Sequence, residues 1–485
     1  MQNDHKIDIV FIQDNSINES IALTELAAVL KRDGHTYEVF IEREEKDILR
    51  ILSESNPRVV MIPTSVVRPE WGLSTAEKIK SRIPDIMILL SGTYPTFFSD
   101  VIENEYVDMI LLGEADYAVP ELLKRMKAGD DITGVNNIWI KMDHTIHKNP
   151  IGLLTDLSTM PMPDREMYYK YKFIKNFPLK RFTSGRGCTN NCSYCFNPTF
   201  KTMTKGRGDF VRKKTAERTV EEILYIYKRY PLKHVHFSDD LFTYDKEWVL
   251  EFCERYSSSV GVPFTFNTMI DKLDEDIVNA SKNAGCFGIA IGIESGKDDI
   301  RINILNKRIT GQDIIETASL IKKHGIFLTT FNMIGNPGET LEDVIATIEL
   351  NRRIKSDNPR ISLSVPIHGT KLYNFAMEHG YIDFKDLEAL SALFAAHKPV
   401  YKTPYTREFE NLYYVFPLMV KYNFFSNTMM RYRSSKTLTP FLKLLGFTKL
   451  WYEKSFYNVG LIKGSMFYFH TGGLKNWTNL YSTII

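Results

Sequence analysis

Short apolar segments that alternate with amphipathic helical segments are the feature that most restricts the fold of this chain. Within residues 1–135, five apolar segments predict buried strands at 7–12, 37–41, 59–63, 86–90 and 109–112. Helical periodicity fills intervals between them at 21–31, 46–53 and 119–126. Regular alternation of strand and helix indicates a parallel sheet covered by helices on both faces, because each parallel connection needs a crossover. Such sheets bind ligands at the carboxyl ends of their strands.

A second alternation occupies residues 180–385, after a connector at 136–179 whose Pro161 and Pro163 do not fit a regular helix. Six strands are predicted, at 181–184, 234–238, 264–267, 287–293, 327–334 and 361–365. Helical segments are predicted between them, at 220–229, 246–257, 275–283, 311–324 and 341–354. Six such units predict an open (β/α)6 barrel, smaller than the eight-stranded one, with its site at the rim formed by the strand ends.

The last segment, residues 386–485, differs in composition from the rest. From 401 to 485 there are 21 aromatic residues among 85, and eleven Lys or Arg against three Glu and no Asp. We expect a helical C-terminal region. Its rings are predicted either to pack against the barrel or to shape a pocket for a large, lipid-like substrate, with peripheral membrane contact as a further consequence. The first of these alternatives is favoured, because a segment of this size must bury apolar surface to fold.

Composition excludes several classes of protein. A chain that is 44% hydrophobic and 25% charged is typical of a globular protein and not of a disordered one. The net charge of +2 does not indicate nucleic acid as a partner. No apolar run approaches the roughly 20 residues that span a bilayer. The polar N-terminus shows no signal peptide, so a cytoplasmic location is expected.

Three of the five cysteines lie within eight residues, in the pattern Cys188-x3-Cys192-x2-Cys195. They follow a predicted strand in a glycine-flanked loop, so their thiolates can converge on one centre. A structural zinc site needs four ligands, and here the fourth is missing unless a remote His or Cys supplies it. Three thiolates suit a [4Fe-4S] cluster that keeps one iron open. The remaining two, Cys253 and Cys286, are predicted to be inert core thiols.

At these residues the chain resembles the radical S-adenosylmethionine (radical SAM) enzymes, whose motif is Cys-x3-Cys-x-aromatic-Cys. Tyr194 supplies the aromatic residue. The resemblance covers about residues 180–370. It implies that the three cysteines hold the cluster, that its open iron binds SAM, and that one electron cleaves SAM to a 5′-deoxyadenosyl radical. It also implies an external electron donor of the flavodoxin or ferredoxin type.

The resemblance extends to the other strand ends. Asp239-Asp240 resembles an Asp-Asp-x-Phe version of the motif that binds the SAM amino group, and Glu294-Ser295 lies in a stretch similar to Gly-Ile-Glu-Ser-Gly. Gly335 and Pro337 belong to a stretch similar to one that packs near adenine. Helix caps and plain turns remain alternatives for all of these. The residues that the resemblance assigns to SAM are Tyr194, Asp239, Asp240, Asn267, Glu294, Ser295, Gly335 and Pro337.

The N-terminal sheet resembles the cobalamin-binding domain found in one branch of the family. Methylthiotransferases, which carry a second cluster in such a domain, are excluded because no cysteine precedes Cys188. The usual cobalt-binding histidine is missing after Asp14, so we expect either cobalamin bound without it or a domain that has lost cobalamin. A sheet that only braces the barrel, or binds another ligand, is the alternative. The residues assigned to cobalamin are Asp14, Ser65, Gly92, Thr93, Tyr94 and Glu114.

The sequence therefore predicts an α/β protein: a flavodoxin-like (Rossmann-type) parallel sheet, a partial six-strand radical SAM barrel and a helical tail. What the resemblance implies is a cobalamin-dependent radical SAM enzyme that transfers a methyl group to an unactivated carbon of a small-molecule or lipid-like substrate. Cyclisation or rearrangement, as in anaerobic magnesium-protoporphyrin monomethyl ester cyclase, is an alternative, as is a radical SAM enzyme with a vestigial sheet. A non-catalytic iron–sulfur sensor or scaffold is the alternative from another class.

Overall fold

The computed structural model describes residues 5–14, 16, 18–382 and 398–444. They form two compact units. The first comprises the residues up to 177 together with 200–213, and the second comprises 178–199 and the residues from 214 onward. None of the helices that the described residues form is long and apolar enough to cross a membrane.

The first unit contains a seven-stranded sheet. Its strands in chain order are Ile7–Gln13, Tyr37–Ile41, Pro57–Pro63, Met87–Ser91, Met109–Leu111, Ile138–Met142 and Thr145–His147. The second strand lies at one edge, and the first, third, fourth, fifth, sixth and seventh follow across the sheet. The first five strands pair in parallel, as predicted. Its helices are Ile21–Arg32, Ile48–Ser55, Pro69–Lys80, Thr93–Phe97, Ala118–Ala128 and Lys172–Asn176.

The last two strands of this sheet correct the prediction that residues 136–179 are only a connector. Ile138–Met142 pairs antiparallel with the fifth strand, and Thr145–His147 pairs antiparallel with Ile138–Met142. The turn between them consists of Asp143 and His144, whose φ angles are 49° and 60°. Positive φ at both residues is the requirement of a type I′ hairpin turn, and Asp tolerates it better than most residues.

The second unit contains six parallel strands in sequential order, as predicted for the half-barrel. The barrel strands are Leu179–Phe182, His234–Phe237, Phe264–Thr268, Cys286–Glu294, Phe327–Ile334 and Asn358–Leu363. Helices cover their outer face: Ala216–Arg229, Lys246–Ser259, Glu275–Asn283, Gly311–Lys323 and Leu341–Arg353. A further helix, Lys371–Glu378, packs in a separate cluster with Leu305, Met333 and Tyr401. Several of these helices begin at a side-chain cap, and Thr310 and Thr340 each form a capping box with an Asp three residues later.

Alternation along the barrel strands separates two faces. Phe182, Val235, Phe237, Phe264 and Ile289 belong to one buried apolar cluster with the covering helices. The intervening positions are mostly half-buried, and most of them are polar or small. Because side chains alternate across a strand, the outer face forms the core and the inner face stays open to solvent.

The described part of the tail forms helices Thr406–Lys421 and Asn423–Tyr432. Phe409, Leu412, Val415 and Phe416 are completely buried in a cluster with residues of helix Leu341–Arg353 and of the sixth barrel strand. The aromatic stretch 413–416 is therefore core. The similar aromatic stretch at 466–469 lies outside the described residues.

Candidate functional site

The cysteine loop begins just after the first barrel strand. Cys188 and Cys192 are each 8% exposed, Cys195 is half-buried, and all three are free thiols. The loop turns at Gly187, whose φ of 89° favours glycine. The backbone N–H of Asn197 donates to the Cys195 sulfur at 3.4 Å. Such a donor stabilises a thiolate, the form in which cysteine binds metal.

Distant residues hold the loop in shape through Ser193. Its N–H donates to the Leu305 carbonyl at 2.9 Å, and its hydroxyl donates to the Ile304 carbonyl at 2.6 Å. Its own carbonyl accepts from the N–H of Leu372 at 2.8 Å. The Asn306 side chain donates to the carbonyl of Asn191 at 2.7 Å. Bonds to residues more than a hundred positions away fix the conformation between the second and third cysteines.

The donor set fits an iron–sulfur cluster. Burial raises the pKa of each of the three thiols, to about 12 for Cys195, and the charges of Cys188 and Cys192 also raise the pKa of Cys195. The sulfurs therefore lie within electrostatic range of one another. Among the described residues, no three His, Cys, Asp or Glu side chains already have the arrangement of a metal site. Iron would have to draw the thiols together and hold them as thiolates, since burial alone favours the protonated form.

Tyr194 and Glu294 meet at the end of the fourth barrel strand. The Tyr194 hydroxyl donates to Glu294 Oε1 at 3.0 Å, and Lys307 Nζ donates to the same oxygen at 2.8 Å. A Cβ at Gly292 would lie 2.3 Å from Glu294 Oε1 and 2.4 Å from Lys307 Nζ. Glycine is thus required there for this buried ion pair to lie against the strand.

Ser295 and Gly296, which follow Glu294, have mainly internal partners. Ser295 is fully buried, and its hydroxyl accepts from the N–H of Lys297 at 3.3 Å. The buried Arg301 side chain donates to the Ser295 carbonyl and to Asp298. A Cβ at Gly296 would lie 2.3 Å from backbone atoms of Ala346 and Thr347. The turn after the fourth strand is thus rigidly packed.

The two aspartates after the second barrel strand differ in availability. Asp239 is 3% exposed and accepts from the N–H of Ser184 at 3.1 and 3.0 Å, as well as from its hydroxyl. Asp240 is exposed and accepts one bond, from Asn197 Nδ2 at 3.0 Å. Although Asp240 reaches solvent, desolvation by the surrounding protein, and then the charge of Asp239, raise the pKa of its carboxyl group. Asp240 is therefore better placed than Asp239 to accept a bond from a ligand.

The remaining residues assigned to SAM lie at other strand ends. Asn267 is half-buried on the third barrel strand. Gly335 and Pro337 are buried, and Gly335, with φ 76°, lies next to Phe409 and Pro399 of the tail. Contact between any of these residues and SAM stays a prediction.

In the first unit, the residues assigned to cobalamin follow adjacent parallel strands. Ser65, Gly92 and Thr93 are exposed, and the Val66 N–H donates to the Thr93 hydroxyl at 3.2 Å. Tyr94 is buried, and burial, followed by the charge of Glu70, raises the pKa of its hydroxyl. Short side chains thus leave the ends of the third and fourth strands open, as a broad planar ligand requires.

The two acidic residues of this set already have partners. Asp14 forms an ion pair with Arg68. Glu114 accepts from Arg212 at 2.6 and 3.0 Å and from the N–H of Thr155 at 2.7 Å. Their carboxylates therefore hold the loops of this unit together, and a direct ligand contact would have to use oxygen lone pairs that remain.

Sequence reasoning missed the partners that orient these groups. Lys307, Ser193 and Asn197 carry no motif signal. The alternation of the barrel strands was visible, but only the packed structure shows that Arg181, His236 and Arg360 occupy inward positions.

Comparison with known proteins supports this geometry. Residues 182–350 match the model of the Radical SAM superfamily. A protein of Pyrococcus horikoshii described as an uncharacterized methyltransferase is 26% identical over 343 residues, which are 69% of this chain and 73% of that protein.

Two solved structures share the fold. The radical SAM methyltransferase TsrM from Kitasatospora setae, with cobalamin and a [4Fe-4S] cluster bound, has a TM-score of 0.63 and 17% identity, with 78% of this chain and 76% of that chain covered. The cobalamin-dependent radical SAM enzyme OxsB, with aqua-cobalamin and SAM bound, has a TM-score of 0.61 and 16% identity. The match covers 72% of this chain but only 52% of the OxsB chain.

Proposed function

We propose that this member of the radical SAM superfamily is a cobalamin-dependent enzyme that transfers a methyl group from SAM to an unactivated carbon. The radical SAM domain makes the chain an enzyme. Similarity to a methyltransferase over 69% of the chain, and the fold shared with TsrM and OxsB, support methylation.

The observation that carries the proposal is the loop of Cys188, Cys192 and Cys195 at the end of the first strand of a six-strand half-barrel. Two of its thiols are buried, and Ser193 fastens the loop to residues 304, 305 and 372. A loop held this rigidly can bind a cluster without a large reorganisation cost.

When bound, the [4Fe-4S] cluster supplies the electron that cleaves SAM, and cobalamin carries the methyl group. We assign the SAM ammonium group to Asp240, because its carboxylate accepts from Asn197 Nδ2 and keeps lone pairs for a further donor. The pair of Glu294 and Lys307, with Tyr194, forms the wall of the site near the third cysteine.

In the first unit we assign the cobalamin surface to Ser65, Gly92, Thr93 and Tyr94. The first three are exposed at the ends of adjacent strands and present short side chains. Asp14 and Glu114 support the surface through their ion pairs with Arg68 and Arg212. The loop after Asp14 contains no histidine, so any cobalamin bound there lacks an imidazole ligand from that motif position.

The experiment is anaerobic reconstitution with iron, sulfide and hydroxocobalamin, followed by incubation with methyl-deuterated SAM and a reductant. We expect about four irons per chain, bound corrinoid, and cleavage of SAM. Cys188→Ala, Cys192→Ala and Cys195→Ala should each abolish the cluster and SAM cleavage, whereas Cys253→Ala, at a buried core thiol, should retain both. Full SAM cleavage by any of the first three variants would contradict the ligand assignment.

The same preparation separates the alternatives. Deuterated methyl in a product supports methyl transfer, and 5′-deoxyadenosine without methyl transfer supports cyclisation or rearrangement. SAM cleavage without corrinoid binding indicates a vestigial sheet. A cluster that never cleaves SAM indicates a sensor or scaffold. The electron donor that we propose, a flavodoxin or ferredoxin, can replace the chemical reductant in this assay.

The tail adds a finer proposal about partners. Residues 421–444 contain five Lys or Arg and no acidic residue. Phe424 is 85% exposed, Phe441 55% and Leu444 60%. Exposed apolar side chains among cations suit an anionic membrane surface that carries a lipid-like substrate. Co-sedimentation with phosphatidylserine vesicles at low salt, compared with Phe424→Ser, tests this contact, and no binding by the unmodified protein would eliminate it.

A further inference from the structure

The cysteine loop is fastened at both of its ends to the residues that follow the second barrel strand. Before the loop, the N–H and the hydroxyl of Ser184 donate to the Asp239 carboxylate. After the loop, Asn197 Nδ2 donates to Asp240 Oδ2 at 3.0 Å. The first two barrel strands pair in parallel, so the loop and the two aspartates leave the sheet at the same edge.

Asn197 also contacts a predicted cluster ligand. Its backbone N–H donates to the Cys195 sulfur at 3.4 Å, so one residue bonds both the third cysteine and Asp240. The residue after Asp240, Leu241, packs in a small buried cluster with Cys188. Asp240 is therefore linked to the third cysteine through Asn197 and to the first cysteine through its neighbour in the chain.

One oxygen of Asp240 remains for a ligand. Its Oδ1 accepts no hydrogen bond from any residue that the structure describes, and Asp240 is exposed. Desolvation raises the pKa of this carboxyl group, whereas the bond from Asn197 lowers it. Asn197 thus favours the ionised carboxylate, which a cationic group of a ligand needs, and fixes the direction of its remaining lone pairs.

We propose that Asn197 is a positioning residue for SAM, which holds the Asp240 carboxylate in the orientation that binds the SAM ammonium group. This inference rests on the proposed function, because it assigns the ammonium group to Asp240. Asn197 acts through that carboxylate, and its backbone bond fixes the carboxylate relative to Cys195. A carboxylate that the protein already orients loses less rotational freedom when it binds a cation, so its affinity for the cation rises.

The test measures SAM binding by equilibrium dialysis, on the holoenzyme with an oxidised cluster and no reductant, so that SAM is not cleaved. Asn197→Leu has a similar shape but no donor, and it should weaken SAM binding by about tenfold or more, because hydrogen bonds to charged groups are strong. Asn197→Gln keeps the amide on a longer side chain and should bind with intermediate affinity. Both variants should retain about four irons per chain, since the backbone N–H at position 197 stays.

A double variant separates a positioning role from a structural one. Asp240→Asn should also weaken SAM binding, and Asn197→Leu/Asp240→Asn should bind SAM no more weakly than Asp240→Asn alone, because Asn197 acts only through that carboxylate. The matched control is Gln312→Leu, which removes an amide-to-carboxylate bond to Glu316 on an exposed helix face. It should bind SAM as the unmodified protein does.

Three results would overturn the inference. They are unchanged SAM affinity in Asn197→Leu, losses of affinity that add in the double variant, and loss of iron from Asn197→Leu, which would make Asn197 a structural part of the cluster loop. SAM affinity that depends on both residues, in an enzyme that forms 5′-deoxyadenosine without methyl transfer, would refute the proposed function alone. Methyl transfer with unchanged SAM affinity in Asn197→Leu would refute this inference alone.

Discussion

The ion pair of Lys307 and Glu294 allows a quantitative test of how the site is built. Their side chains are 3% and 9% exposed, and Nζ lies 2.8 Å from Oε1. Lys307→Met keeps most of the side-chain volume but leaves the Glu294 carboxylate buried without a counter-charge. Loss of one partner of a buried pair typically costs about 3–5 kcal/mol. For a unit of this size that lowers the melting temperature by roughly 6–20 °C.

The assay is differential scanning calorimetry of the protein without cluster, so that metal binding does not contribute. Lys246→Met is the matched control, because Lys246 pairs with Asp274 and Asp276 on the exposed surface and should change the transition little. The double variant Glu294→Gln/Lys307→Met, which removes both charges and leaves an amide for the Tyr194 hydroxyl, should recover much of the loss. A melting temperature for Lys307→Met within about 2 °C of the unmodified protein would refute the reasoning.

The remaining predictions concern packing and pH. Gly296→Ala places a Cβ against the backbone of Ala346 and Thr347, which cannot move as a side chain can, so we expect a lower melting temperature and weaker SAM binding. Gly134→Ala controls for the loss of a glycine, because the added Cβ meets only the end of the Arg125 side chain, at 3.8 Å. Truncation at residue 400 removes five fully buried side chains, those of Phe409, Leu412, Val415, Phe416 and Met419. At about 1.5–3 kcal/mol each, the lost free energy of unfolding is comparable to the whole stability of a domain, so insoluble protein is expected. A folded truncated enzyme that cleaves SAM would show that this reasoning is wrong. Burial raises the pKa of Glu339 from 4.5 to about 8. Because the folded state favours the protonated carboxyl group, the free energy of unfolding falls as pH rises between those two values. Melting temperatures measured from pH 5 to 9 should show this decline, and Glu339→Gln should remove it.

Local pattern was enough to predict most secondary structure. The strands Tyr37–Ile41 and Phe327–Ile334 and the helix Glu275–Asn283 have the bounds that periodicity gives. The hairpin of Ile138–Met142 and Thr145–His147 was missed, because short edge strands have a weak pattern and Asp143-His144 is not a common turn pair. The spacing of Cys188, Cys192 and Cys195 indicated a metal centre directly, since neighbouring cysteines on one loop need no long-range contact to come close.

The sequence by itself determined the two α/β units, the cysteine loop and the strand ends on which a site can form, because these follow from periodicity and spacing over a few residues. Only the tertiary structure decided which charged groups are available there. Asp239 and Glu114 are engaged by Ser184 and Arg212, whereas Asp240 keeps lone pairs for a ligand. Arg181 and Arg360, far apart in the chain, lie on the two edge strands of one six-stranded sheet because of the strand order. Charge pairing acts through space, so it depends on contacts between residues that no local pattern links.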